Sequence, residues 1–306
     1  MSGDPETYSA SAEVSMVRRR RGRLERMWLT LRKAPLSAWF GMTVVAVYIL
    51  VALFAPVLAP HGEAEVFPQP YAPWGGEFLL GTDQIGRDIL SRLIYGARNT
   101  MGIALVTTLL SFVIGGGLGL VAAIDRRWID QLLSRGVDVL MAIPSLIFAL
   151  MLLSIFGSTV TSLIMIIAVL DSTRVFRLTR AVAVNVAVMD YVEAARLRGE
   201  GLGWVMRREI LPNIMPPLVA EFGLRFCFVF LTIAALSFLG VGIQPPTADW
   251  GSMVRENASL IQFAQYDLTA ALTPLLPAAA IALLTIAVNF IVDWFLNKSS
   301  GLRDEH

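Results

Sequence analysis

The chain has 306 residues, 56% of them hydrophobic and only 16% charged, with a mean hydropathy of +0.64. A soluble domain is nearer half apolar and about a quarter charged, so an ordinary soluble fold is excluded. The net charge of +1 says little about partners, and the single cysteine, Cys227, excludes an internal disulfide and reads as a small packing residue.

Residues 1–33 are polar and end in a basic cluster from Arg18 to Arg23, with Arg26, Arg32 and Lys33 behind it. The cluster reads as a topological anchor that keeps a cytoplasmic tail inside. A lipid-headgroup contact is the second reading, and without interleaved aromatics nothing points to nucleic acid. The apolar run that follows has no small-residue cleavage pattern, so it reads as a retained span.

A bilayer core of roughly 30 Å needs about 20 apolar residues per helix. Uncharged runs at 34–60, 99–124, 139–170, 226–248 and 268–292 meet this. The third is too long for one crossing and is divided at Phe156-Gly157-Ser158-Thr159, which gives six predicted spans at about 38–58, 100–124, 136–156, 159–176, 217–241 and 269–295. Of the 25 lysines and arginines, twenty then fall in or at the edge of cytoplasmic segments, four (Arg87, Arg92, Arg98, Arg255) fall outside, and Arg225 lies within the fifth span. That bias predicts an all-α membrane protein with both termini inside.

In the outer segment 61–99, Thr82 or Asp83 suits a helix N-cap, and Ile85, Ile89, Leu93 and Ile94 recur at helical spacing. The pattern predicts an amphipathic helix lying on the membrane or the bundle, with Arg87, Asp88 and Arg92 on its charged face. The glycines at 115, 116, 117 and 119 lie in an apolar helix, lack a lysine and follow no strand, so they predict close helix packing rather than a phosphate loop. Asp171 precedes Arg174 and Arg177 by one and two turns and reads as an intrahelical charge pair.

The polar interruption at 178–216 predicts a helix over 180–197, a turn at Gly199, Gly201 and Gly203, and a short second helix ending before Pro212. Asp190 and Glu193 sit on its polar side. Ala194 and Ala195 leave room for close approach, and Arg196, Arg198, Arg207 and Arg208 offer donors to a partner's carboxylates. On these residues alone the segment is either a docking surface or an ordinary charged loop. Farther on, Glu221 and Arg225 stand four apart in acid-before-base order. They read as a mutual pair with Arg225 snorkelling, the alternative being that Arg225 faces a translocation path. Pro245 and Pro246 end the fifth span, and Trp250 suits the outer interface.

His61 and His306 are the only histidines, and no nucleophile–base or metal set can be assembled, so an enzyme is not indicated. There is no GxxxxGK[ST] motif with which to hydrolyse ATP. A stand-alone secondary transporter or channel remains the alternative, but it predicts midplane charges or inverted repeats, and the spans here are mostly uncharged without a visible repeat.

Three strings carry a family resemblance. Glu193-Ala194-Ala195, Gly199, Ile210, Pro212 and Asn213 resemble the "EAA" loop of binding-protein-dependent ABC permeases. Residues 80–98 resemble the signature GTDxxGRDxxSRxxxGAR of the dipeptide/oligopeptide/nickel subfamily, through Gly81, Thr82, Asp83, Gly86, Arg87 and Asp88. Residues 236–251 resemble its LSFLGxGxQPPxPxWG segment, through Gln244, Pro245, Pro246, Trp250 and Gly251, with Ala248 as a departure.

The resemblance is to the C-type subunit. It implies the type I importer permease fold, with a basic tail at 1–33, a first span at 34–60, an outer loop at 61–99, a permease core at 100–296 and a tail at 297–306. It implies that Glu193, Ala194, Ala195, Arg198, Gly199, Ile210, Pro212 and Asn213 couple to an ATPase. It further implies heterodimerisation with a homologous B-type permease, one or two ATPase subunits that bind ATP and Mg, a periplasmic or lipid-anchored substrate-binding protein, and contact with membrane lipids. No cofactor is expected on this chain itself. The implied location is the bacterial inner membrane, and the implied cargo ranges over dipeptides, oligopeptides, nickel, glutathione and oligosaccharides. The Gly301-Leu-Arg-Asp304 string stands later than in the family, which predicts a different contact of the tail with the ATPases.

Overall fold

Long uncharged runs leave a chain in lipid one means of satisfying its backbone, the helix, and helices are what the sequence forms. The structure, a computed structural model, describes residues 34–124 and 128–301; the basic tail expected at 1–33 and the Leu-Arg-Asp of the late C-terminal string lie outside the described residues. Helix α1 is Leu36–Leu53 and a short α2, Ala55–Leu58, follows with Pro56 in its first turn. The others are α3 (Ile89–Ile124), α4 (Trp128–Ala142), α5 (Ser145–Phe156), α6 (Val160–Ala187), α7 (Asp190–Leu197), α8 (Leu202–Phe238), α9 (Trp250–Asn257) and α10 (Leu268–Gly301). Among the described residues there is no strand, only two isolated bridges.

Four of these helices, α1, α3, α8 and α10, are long and apolar enough to cross a membrane. The predicted third span is not one rod. It is the pair α4 and α5, bent by 90°, because Pro144 lacks an N–H and forces the residue before it out of helical geometry. The predicted fourth span becomes the 28-residue α6, apolar only in its first half and carrying Asp171, Arg174, Arg177 and Arg180 in its second. Thr159 caps it, its hydroxyl accepting from the Ser162 N–H at 3.1 Å.

The predicted glycine packing is present. Gly115 lies against Ser172 and Val175, and Gly119 against Thr179 and the Phe176 carbonyl, so a side chain at either position would strike α6. Ser111 reaches Asp171 at 2.9 Å. These contacts advance together along both helices, so α3 and α6 run parallel. By contrast α1 and α10 are antiparallel: Tyr48 Oη donates to the Ala280 carbonyl at 3.2 Å while Phe40 meets Phe290.

The predicted amphipathic helix after Thr82 is not formed. Gly86 adopts φ +88°, a region open to glycine and strained for other residues, and residues 81–88 make a loop. The helix starts instead at Ile89, where Asp88 accepts from the Ser91 and Leu90 amides at 3.1 and 3.3 Å, and it continues without a break into the second span. Ile85 is consequently 48% exposed while Ile89 is buried. Trp250, expected at the membrane interface, is only 2% exposed. Its indole donates to the Leu93 carbonyl at 2.9 Å, and its ring packs on Tyr48, Phe230 and the bare face of Gly96.

The predicted second short helix before Pro212 also differs. The chain turns into α8 at Leu202 and stays helical through Pro212, Pro216 and Pro217. A π turn at Met206–Ile210 precedes Pro212, where the ring removes one helical donor. The Asn213 amide donates to the Glu209 carbonyl at 2.6 Å within this turn.

Candidate functional site

At one end of the bundle, α7 hangs between the ends of α6 and α8. It ends in a Schellman turn: Gly199 N–H bonds the Arg196 carbonyl and Glu200 N–H the Ala195 carbonyl, at 2.9 and 3.2 Å, with Gly199 at φ +85°. Period 3.6 then divides its residues between two faces. Val192 and Ala195 turn inward and are fully buried with Ala183, Val205, Ile210 and Ile214. Ala195 and Ile210, expected to meet a partner, therefore serve to seat the helix on its own bundle. Glu193, Ala194, Arg196, Arg198 and Gly199 turn outward, as do Pro212 and Asn213 on α8.

Exposed apolar groups accompany those charges. Leu197 is 82% exposed, and Val188, Met189, Tyr191, Leu202 and Trp204 are exposed too. A cluster of large apolar side chains rimmed by polar ones marks an interaction surface. Arg196, Arg198, Arg207 and Arg208 make no ion pair among the described residues. The sequence reading did not single out Leu197, Leu202 or Trp204; their signal was apolar residues flanking the glycine turn.

The opposite end carries the two outer motifs, and there the charges are buried rather than solvated. Asp83 accepts from the Ile85 and Arg87 amides at 3.0 and 2.9 Å and from Arg87 Nε at 2.6 Å. Arg87 and Arg92 both donate to Glu256 Oε2, at 2.8 and 3.2 Å. Glu63 accepts from the Asn99 amide at 2.8 Å and from the Ala248 N–H at 2.9 Å. Asp249 caps α9 through the Ser252 N–H at 2.7 Å and accepts from the Thr100 hydroxyl at 3.2 Å; burial pushes its carboxyl above the ordinary range.

Each remaining motif residue has a place in this plate. Thr82 accepts from the Ala72 N–H at 2.8 Å. Gly81 and Gly86 take positive φ where a Cβ would strike the Ala72 and Phe67 carbonyls. The Gln244 amide closes the turn after α8 by donating to the Gly240 and Gly242 carbonyls at 3.1 and 3.0 Å. Gly251 lies under the Ala234 backbone, and Pro245 and Pro246 are exposed. The motifs thus brace the outer loop against α9. Glu63, Asp249 and Glu256 escaped the sequence reading, although Arg87 and Arg92 had to find acids in the outer segments.

The third site lies within α8, a helix long and apolar enough to cross a membrane. Arg225 on α8 is 8% exposed. Its Nε stands 2.7 Å from Glu221 and its Nη1 3.5 Å from Asp171 on α6. The N–H directions miss both acceptors, so these are charge pairs rather than directed hydrogen bonds. The guanidinium also lies over the Phe228 ring, 4.6 Å from its centroid. The expected Glu221–Arg225 pair is present. Asp171 differs from expectation: it pairs across helices with Arg225 and Ser111 rather than along its own helix, and Arg177 pairs with Asp138 on α4. A cavity of about 190 Å³ adjoins the cluster, lined by Ser145, Asp171, Arg174, Phe228 and Thr232 among others. No group of His, Cys, Asp and Glu among the described residues is arranged to hold a metal ion.

Residues 115–299 match the family described as binding-protein-dependent transport system inner membrane component, and residues 22–73 match the N-terminal TM domain of oligopeptide transport permease C. The chain is 36% identical to the di/tripeptide transport system permease protein DppC of Pseudomonas aeruginosa, over 86% of this chain and 85% of that one. It is 37% identical to the dipeptide transport system permease protein DppC of Escherichia coli K12, over 92% and 91%. Among solved structures it resembles one chain of an amino acid ABC transporter crystallised with histidines, with a TM-score of 0.50 at 21% identity, covering 68% of this chain and 94% of that one; that likeness shows the fold alone. With the family model spanning most of the residues from α3 to α10 and the permease C model covering α1, the chain belongs to the binding-protein-dependent transport system inner membrane components, and within them to the C-type permeases of the peptide group.

Proposed function

We propose that this chain is the C-type permease subunit of an ATP-driven importer of di- and tripeptides, forming one wall of the translocation path. The observation that carries the proposal is the outward face of α7. It combines exposed Leu197, Tyr191 and Met189 with Glu193, Arg196 and Arg198 at the tip of a bundle, a shape suited to seating in the cleft of an ATPase. Val192 and Ala195 anchor the helix from behind, so a push on the outward face is transmitted to α6 and α8 as a rigid-body movement. ATP and Mg belong to the ATPase subunits in this reading, and the chain does no chemistry of its own.

Six crossings with both termini inside are part of the proposal. Because α3 and α6 run parallel, the chain must cross back between them, and the bent α4–α5 pair is the segment available to do so. The permease core over 100–296, with coupling through 178–216, sits in the inner membrane. The α6–α8 face bearing Arg174, Asp171 and Arg225 points to a homologous permease and the path, since charged groups at this depth face a protein interior or a water-filled cavity rather than lipid. The braced outer plate receives a substrate-binding protein. The peptide class is supported by the similarity to di- and tripeptide transport permeases.

Affinity purification of the tagged full chain from its native membrane tests the reading. A second permease and at least one ATPase should accompany it, and the assembly in proteoliposomes, supplied with its substrate-binding protein, should take up di- and tripeptides only with ATP. ATP-independent uptake by the chain alone would favour a secondary transporter instead.

A further inference from the structure

A second cavity lies on a different side of α8. Its lining residues Phe222, Gly223 and Phe226 stand about 120° around that helix from the Phe228, Val229 and Thr232 of the charged cavity, at 100° per residue. It is a groove of about 560 Å³ between α1, α3, α8 and α10, lined by apolar groups such as Ile49, Leu53, Leu105 and Leu284, with Arg98 as its one charged residue. Arg98 is exposed, makes no ion pair among the described residues, and stands directly before the uncharged run that begins at Asn99. It is therefore at headgroup level wherever α3 crosses the bilayer.

We infer that this groove holds one acyl chain of a membrane phospholipid whose phosphate pairs with Arg98. The length fits one leaflet. Along α3 the groove runs from Arg98 past Leu105, and its far end at Phe222 is level with Phe112, which it touches with ring centroids 5.2 Å apart. That is a depth of about 10–20 Å at 1.5 Å per residue, against about 15 Å for half the hydrocarbon core. The length and the almost wholly apolar lining fit a single extended acyl chain. An occupant apolar along its length and anionic at one end is a phospholipid. Phosphate is a strong acceptor for an arginine fork, and Arg98 needs no other partner to stay at the interface.

Gly102 lines the groove and has open space where a Cβ would stand, so it can carry a probe. p-Benzoylphenylalanine at position 102, photolysed in native membranes, should give an adduct of phospholipid mass on the full chain. A cross-link to another polypeptide, or no adduct, would overturn the inference. In native mass spectrometry of the purified full chain, Arg98→Gln should lower retention of 1-palmitoyl-2-oleoyl phosphatidylglycerol roughly ten-fold and leave that of the phosphate-free 1-palmitoyl-2-oleoylglycerol unchanged. Arg98 is exposed, so this variant tests the headgroup contact without disturbing the core. Equal retention of both lipids by wild type and variant would remove the phosphate from the account.

Discussion

Arg87 and Glu256 lie 169 positions apart in the chain and 2.8 Å apart in the fold, Arg87 buried and the Glu256 side chain only 8% exposed, and Arg92 shares the same carboxylate oxygen. The outer loop and α9 are therefore closed upon each other by charge. Removing one member of a buried pair strands the others and costs about 3–5 kcal/mol. Glu256→Ala should lower the thermal unfolding temperature of the purified chain well below that of an exposed control such as Glu65→Ala. Replacing Arg87, Arg92 and Glu256 together with apolar residues of similar size should recover much of the loss. Equal unfolding temperatures for Glu256→Ala and the control would show that the plate is not braced in this way.

The α3–α6 seam depends on the absence of side chains. Gly119→Leu would place a side chain against Thr179 and the Phe176 carbonyl, and overpacking of a fitted interior typically costs about 1–3 kcal/mol. Gly117, with no atom near its open side, is the internal control. Gly119→Leu should abolish recovery of monodisperse protein while Gly117→Leu leaves it near wild type; similar recoveries would mean the seam is loose.

Arg225 between Asp171 and Glu221 reads as a structural pair more than a cargo contact, since its guanidinium is almost fully buried and has two acids and a ring about it. Arg225→Leu leaves two carboxylates without their cation. It should reduce assembly and lower uptake of acidic and neutral peptides to the same extent. Selective loss of acidic peptides with assembly intact would make Arg225 a cargo contact instead.

How far the sequence foretold these sites varied with the reach of the interaction. The glycine seam was legible because small residues in an apolar helix have one use, close packing. The Gly199 turn was legible because the following glycines leave few other conformations. The outer helix was misplaced because Ile85, Ile89 and Leu93 satisfy a helical period while Gly86 breaks it, and the stronger signal was the glycine. The bend at Pro144 was hidden within an uncharged run that composition alone reads as one stretch. Ala195 and Ile210 were assigned to a partner because motif strings record neither helix face, and only the packing of α7 on α6 and α8 divides inward from outward. Of the acids that receive Arg87 and Arg92, Asp83 stands in the same motif, but Glu256 comes from a distant segment, and nothing local announces it.

If α7 is the proposed docking helix, its two faces separate docking from folding. Leu197→Asp alters an exposed side chain, so membrane insertion and unfolding temperature should hold while affinity for the ATPase falls about 30-fold, the loss of one interface anchor worth about 2 kcal/mol. Glu193→Lys should act in the same direction. Val192→Asp instead buries a charge among apolar groups and should destabilise the chain itself.

The most direct test of the coupling surface is photo-crosslinking in intact cells, with one photoreactive residue placed at Leu197 and, separately, at Val192. The account predicts an adduct with an ATPase subunit from position 197 that changes in yield when ATP is depleted, and none from position 192. An adduct from neither position in cells where the chain is inserted and transporting, or capture of the ATPase from position 192 alone, would contradict it.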